Sequence, residues 1–143
     1  MTEHRFIEGH EKVLAVFGDW PSFHDGEVHR LTLDRLQRSD SEAYIPVLEL
    51  HLRGWVMSSS VTEDGFYKQE HDSVVQFHFE GITDLRLEDF NHQNVLSCLV
   101  LTLVTDQNTQ SSALHIELEH CFGLSGSFTA KRARVVGIEP FLR

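Results

Sequence analysis

The sequence predicts an α+β fold, mostly β, with one N-terminal helix followed by a mainly antiparallel sheet of about six to eight strands. Three observations carry this. Apolar residues recur at steps of three and four only near the N-terminus. From residue 28 onward the apolar period is two. The connections between these alternating runs are too short for helical crossovers, so neighbouring strands should run antiparallel.

Phe6, His10, Val13, Leu14 and Phe17 form one stripe on a helix over residues 3 to 17, and Gly18 supplies a stop. Trp20-Pro21-Ser22-Phe23-His24-Asp25 then leads into the strands. Over Val28 to Leu36, His29, Leu31 and Leu33 share one face of a half-buried strand, and Arg30, Thr32 and Asp34 share the other. Leu48, Leu50 and Leu52 oppose Glu49, His51 and Arg53 over residues 46 to 57, while Val75, Phe77 and Phe79 oppose Gln76, His78 and Glu80. The polar stretch from Ser58 to Gly65 between them reads as a loop or irregular hairpin connection. A short strand is expected from Ile82 to Leu87. Both faces of Asn94 to Thr105 are largely apolar, which predicts a central strand covered on both sides. Leu114, Ile116 and Leu118 mark a further half-buried strand, and one or two more fall around Ser125 to Ile138.

At 143 residues and 41% apolar content, the chain is expected to form a single domain, 1–143, with a core that needs no disulfide or metal support. Its net charge of −10 argues against nucleic-acid binding, since phosphates are met mainly by Lys and Arg, and favours a basic protein partner. Cys98 and Cys121 belong to no paired motif, so a reducing cytoplasm is the expected setting. The first residues lack the basic start and apolar run of a signal peptide and no apolar run approaches membrane-spanning length, so neither secretion nor membrane association is expected. Oligomeric state is left open.

Candidate chemistry is sparse. His24, Asp25, Glu27 and His29 are the tightest cluster of side chains that a zinc ion would accept, and His24, Asp25 and Glu27 define the alternative reading of the chain as a metal-dependent or acid/base enzyme. In an unbroken strand, however, His24 and His29 point to opposite faces. In the competing structural reading, His24 and Asp25 bond the backbone at a corner with Trp20 and Phe23 packed beneath. His51, His78 and His115 would meet only if their strands were neighbours. Ser22 lies beside His24 and Asp25 but on no nucleophile elbow, and Cys98 sits in the most apolar strand, where a thiolate is costly. No residue set nominates a reaction, and no metal or other cofactor is expected. Charge says more: between residues 60 and 90, Glu63, Asp64, Glu70, Asp72, Glu80, Asp84, Glu88 and Asp89 face only Lys68 and Arg86. Such a run is either a solvated surface or a patch that steers a basic protein, with Phe66 and Tyr67 as anchors.

Trp20 to Asp25, continued by Gly26-Glu27-Val28, resembles the opening motif of the immunity protein 50 family of bacterial polymorphic toxin systems, in which alanine often stands at the position of Gly26. Phe90-Asn91-His92-Gln93-Asn94-Val95, and the segment from Gly126-Ser127-Phe128 to Ile138-Glu139-Pro140, are similar to the later layout of that family. The resemblance implies a small cytoplasmic protein that binds a cognate toxin domain and blocks its active site or an essential surface, without a cofactor. It also implies a structural role for Trp20, Pro21, Ser22, Phe23, His24, Asp25 and Glu27. Charge then assigns the toxin contact to Glu63, Asp64, Glu70 and Asp72, with Phe66 and Tyr67 beside them.

Overall fold

The computed structural model describes residues 2–38, 41–61, 63–65 and 67–142, the side chains of 58–61, 67 and 68 excepted. The N-terminal helix is shorter than its periodicity suggests. A 3-10 turn (Glu3–Phe6) is separated from helix α1 (His10–Phe17) by Gly9, whose φ of 82° lies in the left-handed region. The break lets an extended residue, Glu8, pair with the backbone further along the chain, donating to Ala133 O at 2.9 Å and accepting from Val135 N at 2.7 Å. It also turns Ile7, outside the predicted stripe, fully inward. Gly18 ends α1 as expected, with φ 84° and its N–H on Leu14 O.

Eight strands follow: β1 (Glu27–Arg38), β2 (Tyr44–Val61), β3 (Tyr67–Glu80), β4 (Thr83–Glu88), β5 (Val95–Thr105), β6 (Ser112–Phe122), β7 (Ser125–Ala130) and β8 (Arg132–Pro140). All ladders between them are antiparallel, in the order β4-β7-β6-β5-β1-β2-β3-β8. The alternation of β2 and β3 brings Leu48 opposite Phe79, Leu50 opposite Phe77 and Leu52 opposite Val75, all buried. The polar stretch after Met57 is less of a loop than its composition suggests. Strand pairing continues to Val61 and Tyr67, which leaves only a tight turn around Glu63 to Gly65.

Two expectations fail for one reason: the strands outrun the core. In β1, Leu33 keeps its register, paired with buried Leu48, and is nonetheless 51% exposed, while Leu36, beyond the register shift after Asp34, is 54% exposed. In β5, Leu96, Leu99 and Leu101 are buried, but Leu103 and Val104 are about half exposed because the β5–β6 hairpin projects past the core. The strand is central in the sheet and covered over only its first half.

The sheet is folded on itself. Across a flat sheet, five strand spacings would put β7 about 24 Å from β3, yet the rings of Phe128 on β7 and Phe79 on β3 are 5.1 Å apart. One corner lies where β3 runs into β4 through Gly81 and Ile82 while β7 runs into β8 through Lys131. The β3–β8 and β4–β7 ladders keep one register across this bend, from Glu80↔Arg132 to Thr83↔Thr129, and Lys131 N–H donates to Glu80 O. The other corner joins β1 to β5, whose only ladder pair is Glu27↔Val95. Helix α1 packs against β8 and β3, and the 3-10 turn lies against β5, so the N-terminal segment covers the core between the two halves.

Gly54 on β2 shows how tightly the core is filled at the helix end. A Cβ there would stand 2.8 and 2.9 Å from two ring carbons of Phe23, itself enclosed by Phe17, Trp20 and Phe77. Gly54→Ala is therefore expected to cost about 1–3 kcal/mol, read as a lower urea midpoint with an unchanged m-value.

Candidate functional site

The segment from Trp20 to Gly26 lies at the β1–β5 corner and extends the single ladder pair into a seam. Leu99 N–H donates to Ser22 O (2.9 Å), Asp25 N–H to Leu96 O (2.9 Å), Leu96 N–H to Gly26 O (2.8 Å) and Val28 N–H to Asn94 O (2.8 Å). His24 adds a side-chain bond, Nδ1–H to Ser97 O at 2.9 Å. Phe23 and Asp25 take left-handed φ values of 59° and 62°, an uncommon conformation for residues other than glycine. The turn drives Phe23 into the core and leaves the His24 and Asp25 side chains 71% and 57% exposed. An alanine at Gly26 would set its Cβ 2.8 Å from the carbonyl oxygens of both Phe23 and Arg53, so at this chain's backbone spacing the position takes only glycine.

The two other stretches that carry the family resemblance belong to the same framework. Asn94 is buried; its side-chain carbonyl accepts from Asn91 N and Leu124 N at 2.8 and 3.1 Å, its amide donates to Asn91 O, and its backbone oxygen receives Val28. The loop before β5 is thereby locked to the start of β7 and to the seam. Gly126 allows β7 to approach β4, since a Cβ there would meet Arg86 O at 2.3 Å, and Phe128 is the ring that touches Phe79.

Beneath the seam, Trp20 stacks on His4 at 5.1 Å with an interplanar angle of 8° and meets Phe23 and Phe77 edge-on. Trp20 Nε1 and His4 Nδ1 are both buried without a hydrogen-bond partner. Burial, helped by nearby His10 and Arg5, lowers the proton affinity of His4 below that of an ordinary imidazole.

The histidines that the sequence singles out do not gather. His24 lies 3.6 Å from Asp25 and His29 3.6 Å from Glu27, two separate pairs, and the His29 ring rests against Phe141. Among the described residues, no three His, Cys, Asp or Glu side chains form a group that could hold a metal ion. His78 is buried between Glu49 and Glu80 at 2.9 and 3.2 Å. His51 pairs across the strands with Arg30 and Gln76, whereas His115, in the other half of the sheet, bonds Thr129 Oγ1. Cys98 is half-buried, and burial together with Glu119 and Glu117 raises its thiol above the usual range.

The acidic run is continuous in sequence and dispersed in space. Glu63 and Asp64 stand exposed at the β2–β3 turn, whereas Asp84, Glu88 and Asp89 lie beyond the opposite end of β3, a strand of 14 residues and so about 45 Å long. Glu70 is half-buried opposite Val56. Asp72 is already engaged: its two oxygens receive Arg53 Nε and Nη2 at 2.8 and 2.7 Å, and the guanidinium lies over the rings of Phe141 and Trp55. Asp72, first through its hydrogen bonds, holds Arg53 still more firmly charged than usual. Phe66 lies outside the described residues, as does the side chain of Tyr67.

What the tertiary structure brings together is the Trp20 segment and the arm formed by β2 and β3. A cleft of about 430 Å³ runs between them, lined by Phe17, Asp19, Trp20, Pro21, Ser22, His24, Asp25, Trp55, Val56, Met57 and Gln69. Among the described residues the carboxylates that line it are those of Asp19 and Asp25, and Met57 is 53% exposed at its rim. Asp19, Trp55, Met57 and Gln69 carried no signal in the sequence, because each belongs to the site only through strand pairing and the seam.

The family model described as Immunity protein 50 matches residues 9–141. The chain belongs to that family. No curated protein and no solved structure matches it.

Asp72→Asn would leave a half-buried guanidinium with a neutral partner and should destabilise the fold by about 2 kcal/mol, measured by chemical denaturation. His4 sets an acid limit. The folded chain binds its proton less readily than the unfolded chain, so its contribution is fully present above the ordinary value of 6.5 and is lost as pH falls through the lowered one. His4→Phe keeps the stack on Trp20 and should flatten the acid side of a melting-temperature profile.

Proposed function

We propose that this immunity-family protein is a non-catalytic antidote, which binds a cognate toxin domain and covers a basic surface of it, such as the substrate groove of a nuclease. The observation that carries the reading is the family match over residues 9–141. Charge supplies the partner's chemistry: a chain at −10 attracts a basic domain and raises the rate of encounter. The contact surface proposed is the tip of the β2–β3 arm, with Glu63, Asp64 and Glu70, together with the adjoining cleft; Phe66 and Tyr67, next in sequence after Gly65, are the proposed anchors. In the cleft the Asp19 and Asp25 carboxylates stand ready for Lys or Arg, and Trp55 and Met57 offer apolar contact. Asp72 supports this surface from behind through Arg53. No cofactor takes part. Binding would occur in the cytoplasm, a setting that suits two free cysteines, one of them exposed.

Co-expression with the toxin domain encoded beside this gene should restore growth, and the two purified proteins should form a complex by calorimetry. Absence of both rescue and a complex would overturn the reading. Glu63→Lys with Asp64→Lys should weaken the complex about tenfold, chiefly by slowing association, and leave the melting temperature unchanged. Unaltered affinity would move the interface elsewhere on the molecule and spare the function.

A further inference from the structure

Among the described residues, the halves of the folded sheet part in two places, and one of them is covered. On the side of β8, the 3-10 turn and α1 fill the space, with Glu8 paired to the β8 backbone. On the other side, β1 leaves β5 after Val28, and its edge beyond that residue has no ladder partner among the described residues. The edge strand β4 pairs with β7 alone and presents its other edge to the same space. Two adjoining cavities of about 280 and 180 Å³ fill the gap, lined by Leu31 and Leu33 from β1, by Leu85 and Leu87 from β4, and by Val47, Ile82, Phe90 and Leu124. Here the core comes to the surface: Leu33 is 51%, Leu85 38% and Phe90 57% exposed.

Free strand edges flanking an apolar groove invite another strand. Charge selects which one. Asp34, Asp84, Glu88 and Asp89 line the groove against Arg35. A second copy of this acidic chain would be repelled, whereas a basic segment would be drawn in. We propose that the β1–β4 groove is a strand-acceptor site for an extended segment of a protein partner in which apolar and basic residues alternate. Its main chain would bond to the open edges, its apolar side chains would fill the gap between the leucines, and its basic side chains would meet the rim. This inference rests on the fold and not on the toxin-binding surface of the β2–β3 arm.

The test uses the isotope-labelled full chain and a blocked peptide, Lys-Val-Lys-Val-Lys-Val-Lys, followed by amide NMR. Binding should shift resonances of residues 30–34 and 83–87 and saturate. Peptides N-methylated at the valines or at the internal lysines keep charge and apolar surface but lose the donors along one edge, and each should bind about tenfold more weakly. Leu33→Lys, at an exposed position, should weaken the parent peptide similarly with an unchanged melting temperature. Shifts confined to other residues, N-methylated peptides that bind as tightly as the parent peptide, or no saturable binding would overturn the proposal. Because no toxin is present, such a failure leaves the antidote reading intact, and failure of that reading leaves the groove untouched.

Discussion

The two halves of this sheet are held as one by a short backbone seam. The ladder between β1 and β5 consists of a single pair, Glu27↔Val95, which by itself would be a loose hinge. Four main-chain hydrogen bonds between residues 22–28 and 94–99 make it a rigid corner. Each is worth about 1 kcal/mol net, but their geometric effect is larger, since every contact between the halves presupposes this angle. The left-handed turns at Phe23 and Asp25 are the conformational cost, offset by the burial of Phe23 among Phe17, Trp20 and Phe77. Asn94 completes the corner by satisfying loop amides from inside the core.

The opposite corner follows a different rule. There β3 and β8 bend together into β4 and β7 without losing register, so no side chain has to lock them. Strands that pass continuously between two packed layers close one side of the core. With one side closed by a bent ladder and the other by a seam, the N-terminal helix is left to cover one opening, and the β1–β4 opening stays bare. The distribution of exposed leucines is thus a consequence of topology.

The same geometry separates roles within the acidic run. Asp72 and Glu80 are structural, bound to Arg53 and to His78 and Arg134. Glu63 and Asp64 are carried out on the arm, and Asp84, Glu88 and Asp89 go to the β1–β4 groove. Two surfaces of like sign therefore stand at opposite ends of β3. Each combines carboxylates with exposed apolar side chains, Met57 on the arm and Leu33, Leu85 and Phe90 at the groove.

Alternation, short connections and one glycine were enough to read the β-rich class, the antiparallel pairing, the buried faces of β2 and β3, and the helix stop at Gly18. These depend on local periodicity and on glycine's freedom at positive φ. The motif from Trp20 to Asp25 and the family it marks were legible too, because the motif is contiguous. The break at Gly9, the exposure of Leu33 and Leu103, and the length of the β2–β3 arm were not. Each depends on where a strand ends relative to a core built from distant segments. Nor could sequence show that Asp72 is neutralised by Arg53, 19 residues away, or that Asp19 and Trp55 share a cleft. Sequence by itself determined which faces seek burial and the net acidity of the chain. Only the tertiary structure decided which carboxylates remain free and where the core stays open, because both are settled by how the sheet closes, and closure is a contact between residues far apart in the chain.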